Sequence, residues 1–298
     1  MTGLISQTKR NFQLFFKDRG MFISSLITPI ILLVLYVTFL AGVYRDGFSA
    51  AFLPGMEIPE TLLNATVGGQ LVSSLLAVSC VTVAFCSNLL MVQDKATGAI
   101  RDLTVSPAKP AMLGLSYFLG SAAATLLITF AGYLACLLYL LKIGFYMSAA
   151  DIALTALDVF LLTLFGVSFS SCVNFFLSTQ GQASAVGTVV SSGYGFVCGA
   201  YLSISTFPKV LQRILMFLPG TYGTSLIRNH CMAGVFREWE KIGFPPEGIE
   251  ELRKAVDCQL SFFGKSVGIP ALYLVLGGSV LLFIGIYIGL HVAASHKR

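Results

Sequence analysis

The sequence predicts an all-α integral membrane protein with six transmembrane helices, on three observations. Of its 298 residues 56% are hydrophobic and 11% charged, against about 45–50% and about 25% in soluble domains. The apolar residues gather into runs long enough to cross the roughly 30 Å hydrocarbon core. The charges gather between those runs, since each costs about 2.5–3.5 kcal/mol at a span centre. The whole chain, 1–298, reads as a single transmembrane domain.

Residues 1–20 read as an interfacial helix, with Leu4, Ile5, Phe12, Phe15 and Phe16 interrupted by Lys9, Arg10, Lys17 and Arg19. Their polar, basic length and the missing small-residue cleavage site argue against a cleaved signal peptide. The first span covers Met21 to Gly42 and is kinked at Pro29. A connection with Arg45, Asp46, Glu57 and Glu60 leads to the second span, Leu62 to Val92. There Ser73, Ala77, Cys80, Ala84 and Ser87 make one narrow face of small side chains suited to close packing.

Gln93 to Pro110 is the strongly polar stretch of the first half. Asp94, Lys95, Arg101, Asp102 and Lys109 exclude it from hydrocarbon, and its interior reads as a short amphipathic helix stopped by Pro107 and Pro110. It is either a handle for a partner protein or a solvated turn. The third span covers Ala111 to Leu141 and the fourth Ile152 to Leu177. Asp158 is the one acid well inside an apolar run; it is a functional suspect or reaches the interface two turns away, and the second reading is preferred. After the uncharged turn Ser178–Gln182, the fifth span runs from Ala183 to Ile204. Its Ala183, Gly187, Ser191, Gly195 and Gly199 recur every four residues, a ridge for close helix packing.

Residues 205–266 form a long connection. Pro208, Pro219 and Gly220 break its apolar first part into two short helical pieces dipping into the membrane. Trp239 reads as interfacial, and Pro245–Pro246 open a helix with i, i+4 pairs Glu250–Lys254 and Arg253–Asp257. The sixth span covers Val267 to His291. Basic residues concentrate at both termini and in the Gln93–Pro110 stretch, which places these in the cytoplasm and the chain in the plasma membrane.

No chemistry-bearing motif survives inspection. Gly264-Lys265-Ser266 mimics the end of a phosphate-binding loop, but Gln259 stands where that loop needs glycine. The glycines at 193, 195 and 199 lack dinucleotide spacing, and His230, His291 and His296 are scattered. No dense basic tract suggests nucleic acid. The chain is expected to have no catalytic residue, metal site or bound cofactor; if ATP is used, another polypeptide binds it. Five of the seven cysteines lie in apolar runs, whereas Cys231 and Cys258 share the long connection and could pair in an oxidising compartment.

The order of these features resembles the membrane subunit of type 2 ABC transporters, the exporter-like permease family, over nearly the whole chain. The carriers are the basic helix before a proline-containing span, the segment Asp94-Lys95-x-x-Gly98-x-x-Arg101-Asp102-Leu103 closing in Val105-Ser106-Pro107, and the half-inserted Phe217–Arg228 stretch. The Asp94-Lys95 order departs from the usual acidic-basic cluster. The resemblance implies a cytoplasmic coupling helix over 93–110, re-entrant helical pieces between spans five and six, and a second permease subunit, identical or not. It implies a separate nucleotide-binding ATPase carrying ATP and Mg, docked through Asp94, Lys95, Gly98, Arg101, Asp102, Lys17 and Arg19. Spans one, two and five would line the pathway, with Phe85, Asn88, Ser191 and Tyr194 as candidates. The expected cargo is an amphipathic or hydrophobic compound (drug, antibiotic or lipid-like), with a lipid-linked polysaccharide open in the same class. An ion-coupled secondary transporter would need paired buried charges near mid-membrane, and an intramembrane enzyme would need converging acid, base or metal groups.

Overall fold

The computed structural model describes residues 2–50, 59–105 and 110–295. Glu57, Pro107, Lys109 and the basic end at 296–298 lie outside the described residues, and with them the expected stop of the polar helix at Pro107. α1 (Thr2–Lys17) is amphipathic and meets α2 (Arg19–Leu35) at Asp18, whose carboxylate accepts from the Met21 N–H at 3.1 Å and caps the new helix. A π-helical turn, Tyr36–Leu40, joins α2 to α3 (Ala41–Ala50) without a break in the rod.

α4 (Glu60–Ser87) is buried along almost its whole length, so it is the central post. It continues past Asn88 as α5 (Leu89–Thr97) and turns at Gly98 into α6 (Ala99–Val105). α7 (Pro110–Ile143) and α8 (Ala149–Phe176) pack against α4, α8 opening with a Ser148–Asp151 capping box. α9 (Gln180–Val197) follows a short turn and opens with a Thr179–Gln182 capping box. The long connection holds α10 (Lys209–Leu215), α11 (Pro219–Lys241), α12 (Pro246–Ala255) and a hairpin of β1 (Ser261–Phe262) and β2 (Lys265–Ser266), and α13 (Ile269–Ser295) closes the chain.

Among the described residues five helical stretches are long and apolar enough to cross a membrane: Arg19–Phe48, Glu60–Thr97, Ala111–Ile143, Ala149–Phe176 and Ile269–Ala294. α9, the expected fifth of six, is not among them, because Gln180, Gln182 and its serines and glycines dilute its 18 residues. The re-entrant region also differs from expectation. Its second piece is not short: α11 runs 23 residues, and Trp239 is fully buried, its indole N–H donating to Thr66 Oγ1 at 3.0 Å. Glu250 and Lys254 pair as expected at 2.7 Å, but Arg253 lies over the Phe236 ring instead of joining Asp257.

The small face of α4 does the packing expected of it. A Cβ on Gly166 of α8 would stand 2.8 Å from the Cys80 carbonyl oxygen and 3.1 Å from the Ala84 Cβ, so the two backbones nearly touch. Neither backbone can retreat. Gly166→Ala is expected to destabilise the fold by about 2 kcal/mol, as overpacked cores do; an unchanged thermal melt in detergent would refute that contact.

Candidate functional site

At one end of the bundle α5 and α6 form an elbow at Gly98, whose φ of +84° suits glycine. The elbow is bolted on two sides. Asp94 is buried, and Arg10 of α1 grips it with Nη1 at 3.0 Å and Nη2 at 3.4 Å, while the Tyr117 hydroxyl of α7 donates to it at 2.5 Å. Burial works against the Arg10 charge, but the hydrogen bond and charge of Asp94 outweigh it and hold the guanidinium above its ordinary pKa. Lys95 points the other way. Its ammonium donates to the carbonyls of Asn174, Phe175 and Leu177 at 3.3, 2.5 and 3.1 Å, at the partially negative end where α8 stops.

This corrects the expected docking set. The Asp94 carboxylate and the Lys95 ammonium face inward and join α1, α7 and α8; their signal in the sequence was charge, which does not tell partner from neighbour. Lys17, Arg19, Arg101 and Asp102 are exposed on the same end of the bundle. Arg10, read in the sequence only as part of the basic face of the interfacial helix, and Tyr117, which carries no signal there, complete the joint.

Between the first rod, the end of α4 and α9 lies a cavity of about 880 Å³. Among the described residues no charged side chain lines it. Ile27, Ile31, Leu35 and Phe39 supply one wall, and Ser184, Gly187, Thr188 and Ser191 the other. Of the four candidate pathway residues, one lines this cavity. Ser191 faces the cavity, but Phe85 is buried edge-on against Phe169 at 5.7 Å. Asn88 is spent among helices: its amide donates to Val167 O, Ser170 Oγ and Ser171 Oγ, and its oxygen accepts from Ser121. The Tyr194 ring leans on Gly220 of α11, where any Cβ would strike its hydroxyl. Cys86 and Leu89, each one residue along from the expected pair, line the cavity instead. Within the chain the α9 ridge packs in part: Ala183 is buried, Gly187 meets nothing within 4 Å, and a Cβ on Gly195 would strike the Tyr201 ring.

The opposite end is tied by buried charge. Arg228 of α11 is fully buried and donates to Val256 O at 2.7 Å, Gly199 O at 3.0 Å and Ser74 Oγ at 3.0 Å, with Asp257 at 3.4 Å. Asp158 does not reach an interface: it is fully buried, 2.5 Å from His230 Nδ1 and 2.6 Å from the Tyr273 hydroxyl, which links α8, α11 and α13. A lone arginine inside an apolar stretch was the available signal for the first network. Cys231 and Cys258 are free thiols in separate clusters, Cys231 facing Thr155 of α8 and Cys258 packed with Val256 and Phe236, so the possible disulfide is not formed. Among the described residues no group of three His, Cys, Asp or Glu could hold a metal.

The arrangement is that of a rigid connector at one face and an apolar groove beside it. The family described as ABC-2 type transporter matches residues 2–230. A search of curated proteins returned no match.

Proposed function

The chain belongs to the ABC-2 type transporter family, and from that premise we propose that it is the permease subunit of an ATP-driven exporter, docked on a separate ATPase. One observation carries the reading. The α5–α6 elbow is clamped to α1 and α7 through Asp94 and to α8 through Lys95, so a push on its exposed side is delivered to several helices at once. Arg101, Asp102, Lys17 and Arg19 are the exposed charges that an ATPase would grip. ATP and Mg belong to that partner.

In this reading both termini and the elbow are cytoplasmic, in the plasma membrane. α9 makes the sixth crossing: 18 residues reach about 27 Å, close to the roughly 30 Å core, with its hydroxyl face turned to the cavity. A second permease subunit closes the groove into a pathway. Its uncharged walls favour an amphipathic or hydrophobic cargo over an ionic one, because a desolvated charge there would meet no partner.

Reversing both charges, Arg101→Asp with Asp102→Arg, is expected to lower co-purification with the ATPase about tenfold, since like charges would then face each other across the interface. Retention of full association and transport would remove the docking reading.

A further inference from the structure

At the end of the bundle away from the elbow, an aromatic and basic patch lies outside the elbow, the 880 Å³ cavity and the buried charge networks. α10 presents Val210 and Ile214, 70% and 56% exposed, with Phe217 just beyond it at 66%. The hairpin tip adds Phe263 at 62%. The pieces form one surface: Phe217 lies 5.4 Å from Phe262 and 6.4 Å from Phe263, and the Arg213 guanidinium stacks 5.6 Å over the Phe263 ring. Lys265 is the cross-strand partner of Phe262 and so shares its face of the hairpin. Lys209 and Arg213, four residues apart on α10, are on one side of that helix.

The backbone is strained to hold this arrangement. Phe263 has φ of +48° and Gly264 +83°, two successive positive values at the tip of a two-residue turn, where asparagine or glycine is the comfortable first residue. An aromatic ring kept at such a position costs stability, and backbone strain of that kind clusters at ligand-binding and switch regions.

We propose that this patch binds a phospholipid of the adjacent leaflet, the rings and one acyl chain entering the apolar boundary and Lys209, Arg213 and Lys265 meeting the phosphate. Two further facts identify that occupant. The first is continuity: α13, long and apolar enough to cross a membrane, begins at Ile269, three residues past β2, at most about 10 Å of chain, and its exposed Leu274 and Leu281 continue the apolar surface. The second is charge: residues 203–218 and 258–268 contain three cations and no carboxylate, which complements an anionic phosphate. A cavity of about 320 Å³ lined by Met216, Phe217, Tyr222, Phe262, Val267 and Val275 opens under the rings and suits a hydrocarbon chain.

The chain has a single tryptophan, Trp239, which is fully buried, so a tryptophan placed in the patch reports on itself. Phe263→Trp in the full chain, reconstituted with phosphatidylglycerol brominated in its acyl chains, is expected to lose about half its emission relative to unbrominated lipid. The unmodified chain sets the baseline. Adding Lys209→Gln, Arg213→Gln and Lys265→Gln should weaken that quenching. Quenching by aqueous acrylamide without quenching by bromolipid would place the ring in water and overturn the proposal. Protection from both would mean that protein, such as a second copy of the chain, covers the patch, and would overturn it equally. Phe217→Trp repeats the test without touching the turn. ATPase association does not enter the readout, so the lipid contact and the permease reading can fail separately.

Discussion

Replacing Asp94 by alanine is expected to lower transport at least about tenfold while the chain still inserts, because the joint between elbow and bundle disappears. The substitution leaves the half-buried Arg10 guanidinium and the Tyr117 hydroxyl facing each other with no carboxylate between them. Breaking one side of such a partly desolvated pair costs about 3 kcal/mol, visible as a lower melting temperature in detergent. Asp94 is buried, so it acts by positioning. ATPase co-purification should therefore fall much less than in the Arg101/Asp102 reversal, and Asp94→Glu should recover part of the loss. A variant that melts normally but no longer binds the ATPase would show instead that Asp94 touches the partner.

Arg228→Ala is the second large effect, about 3–5 kcal/mol, a large share of an ordinary fold's stability of about 5–15 kcal/mol. It strands the Asp257 carboxylate and the carbonyls of Val256 and Gly199 in the interior. Burial already pushes the Asp257 carboxyl above its usual range; the Arg228 charge and hydrogen bonds from Ser203 and the Ile204 N–H pull against that. Without the arginine the folded carboxyl holds its proton more tightly than the unfolded chain does. A group raised in this way stabilises the fold as pH falls through its folded pKa and loses that contribution as pH rises. Thermal scans of Arg228→Ala should therefore improve from neutral toward acidic buffer by more than those of the parent, and equal slopes would refute the assignment. Arg228→Met combined with Asp257→Asn should recover part of the loss, since neither residue then leaves a buried charge alone and the asparagine oxygen still accepts from the Ile204 N–H.

The helical membrane architecture was legible because hydrocarbon imposes length and charge rules that any sequence must obey. The spans around Met21, Leu62, Ala111, Ile152 and Val267 follow from apolar run length alone. α9 tested that rule: its small and hydroxyl side chains suit a groove, and they also erase the apolar signal. The site was legible only as a location. Arg101 and Asp102 could be placed at the surface, but Asp94 and Lys95, their neighbours in the same polar word, turn inward to partners 84 and 79 residues away. No local pattern encodes contacts at that range. The lining of the cavity failed for a narrower reason, since one residue moves the direction of a helical side chain by about 100°. Phe85 and Cys86 thus belong to different surfaces.

The widened turn at Tyr36–Leu40 has a consequence for the first rod. On a regular α-helix eight residues make about 2.2 turns, so Tyr36 and Tyr44 would point well apart. A π turn takes up more residues per revolution and brings the two back into phase. Both hydroxyls then hang from successive carbonyls, Tyr36 from Ala200 at 3.3 Å and Tyr44 from Tyr201 at 3.2 Å. The rod is thereby pinned at two heights to adjacent residues just past α9, and releasing it from that end requires both hydroxyls to let go.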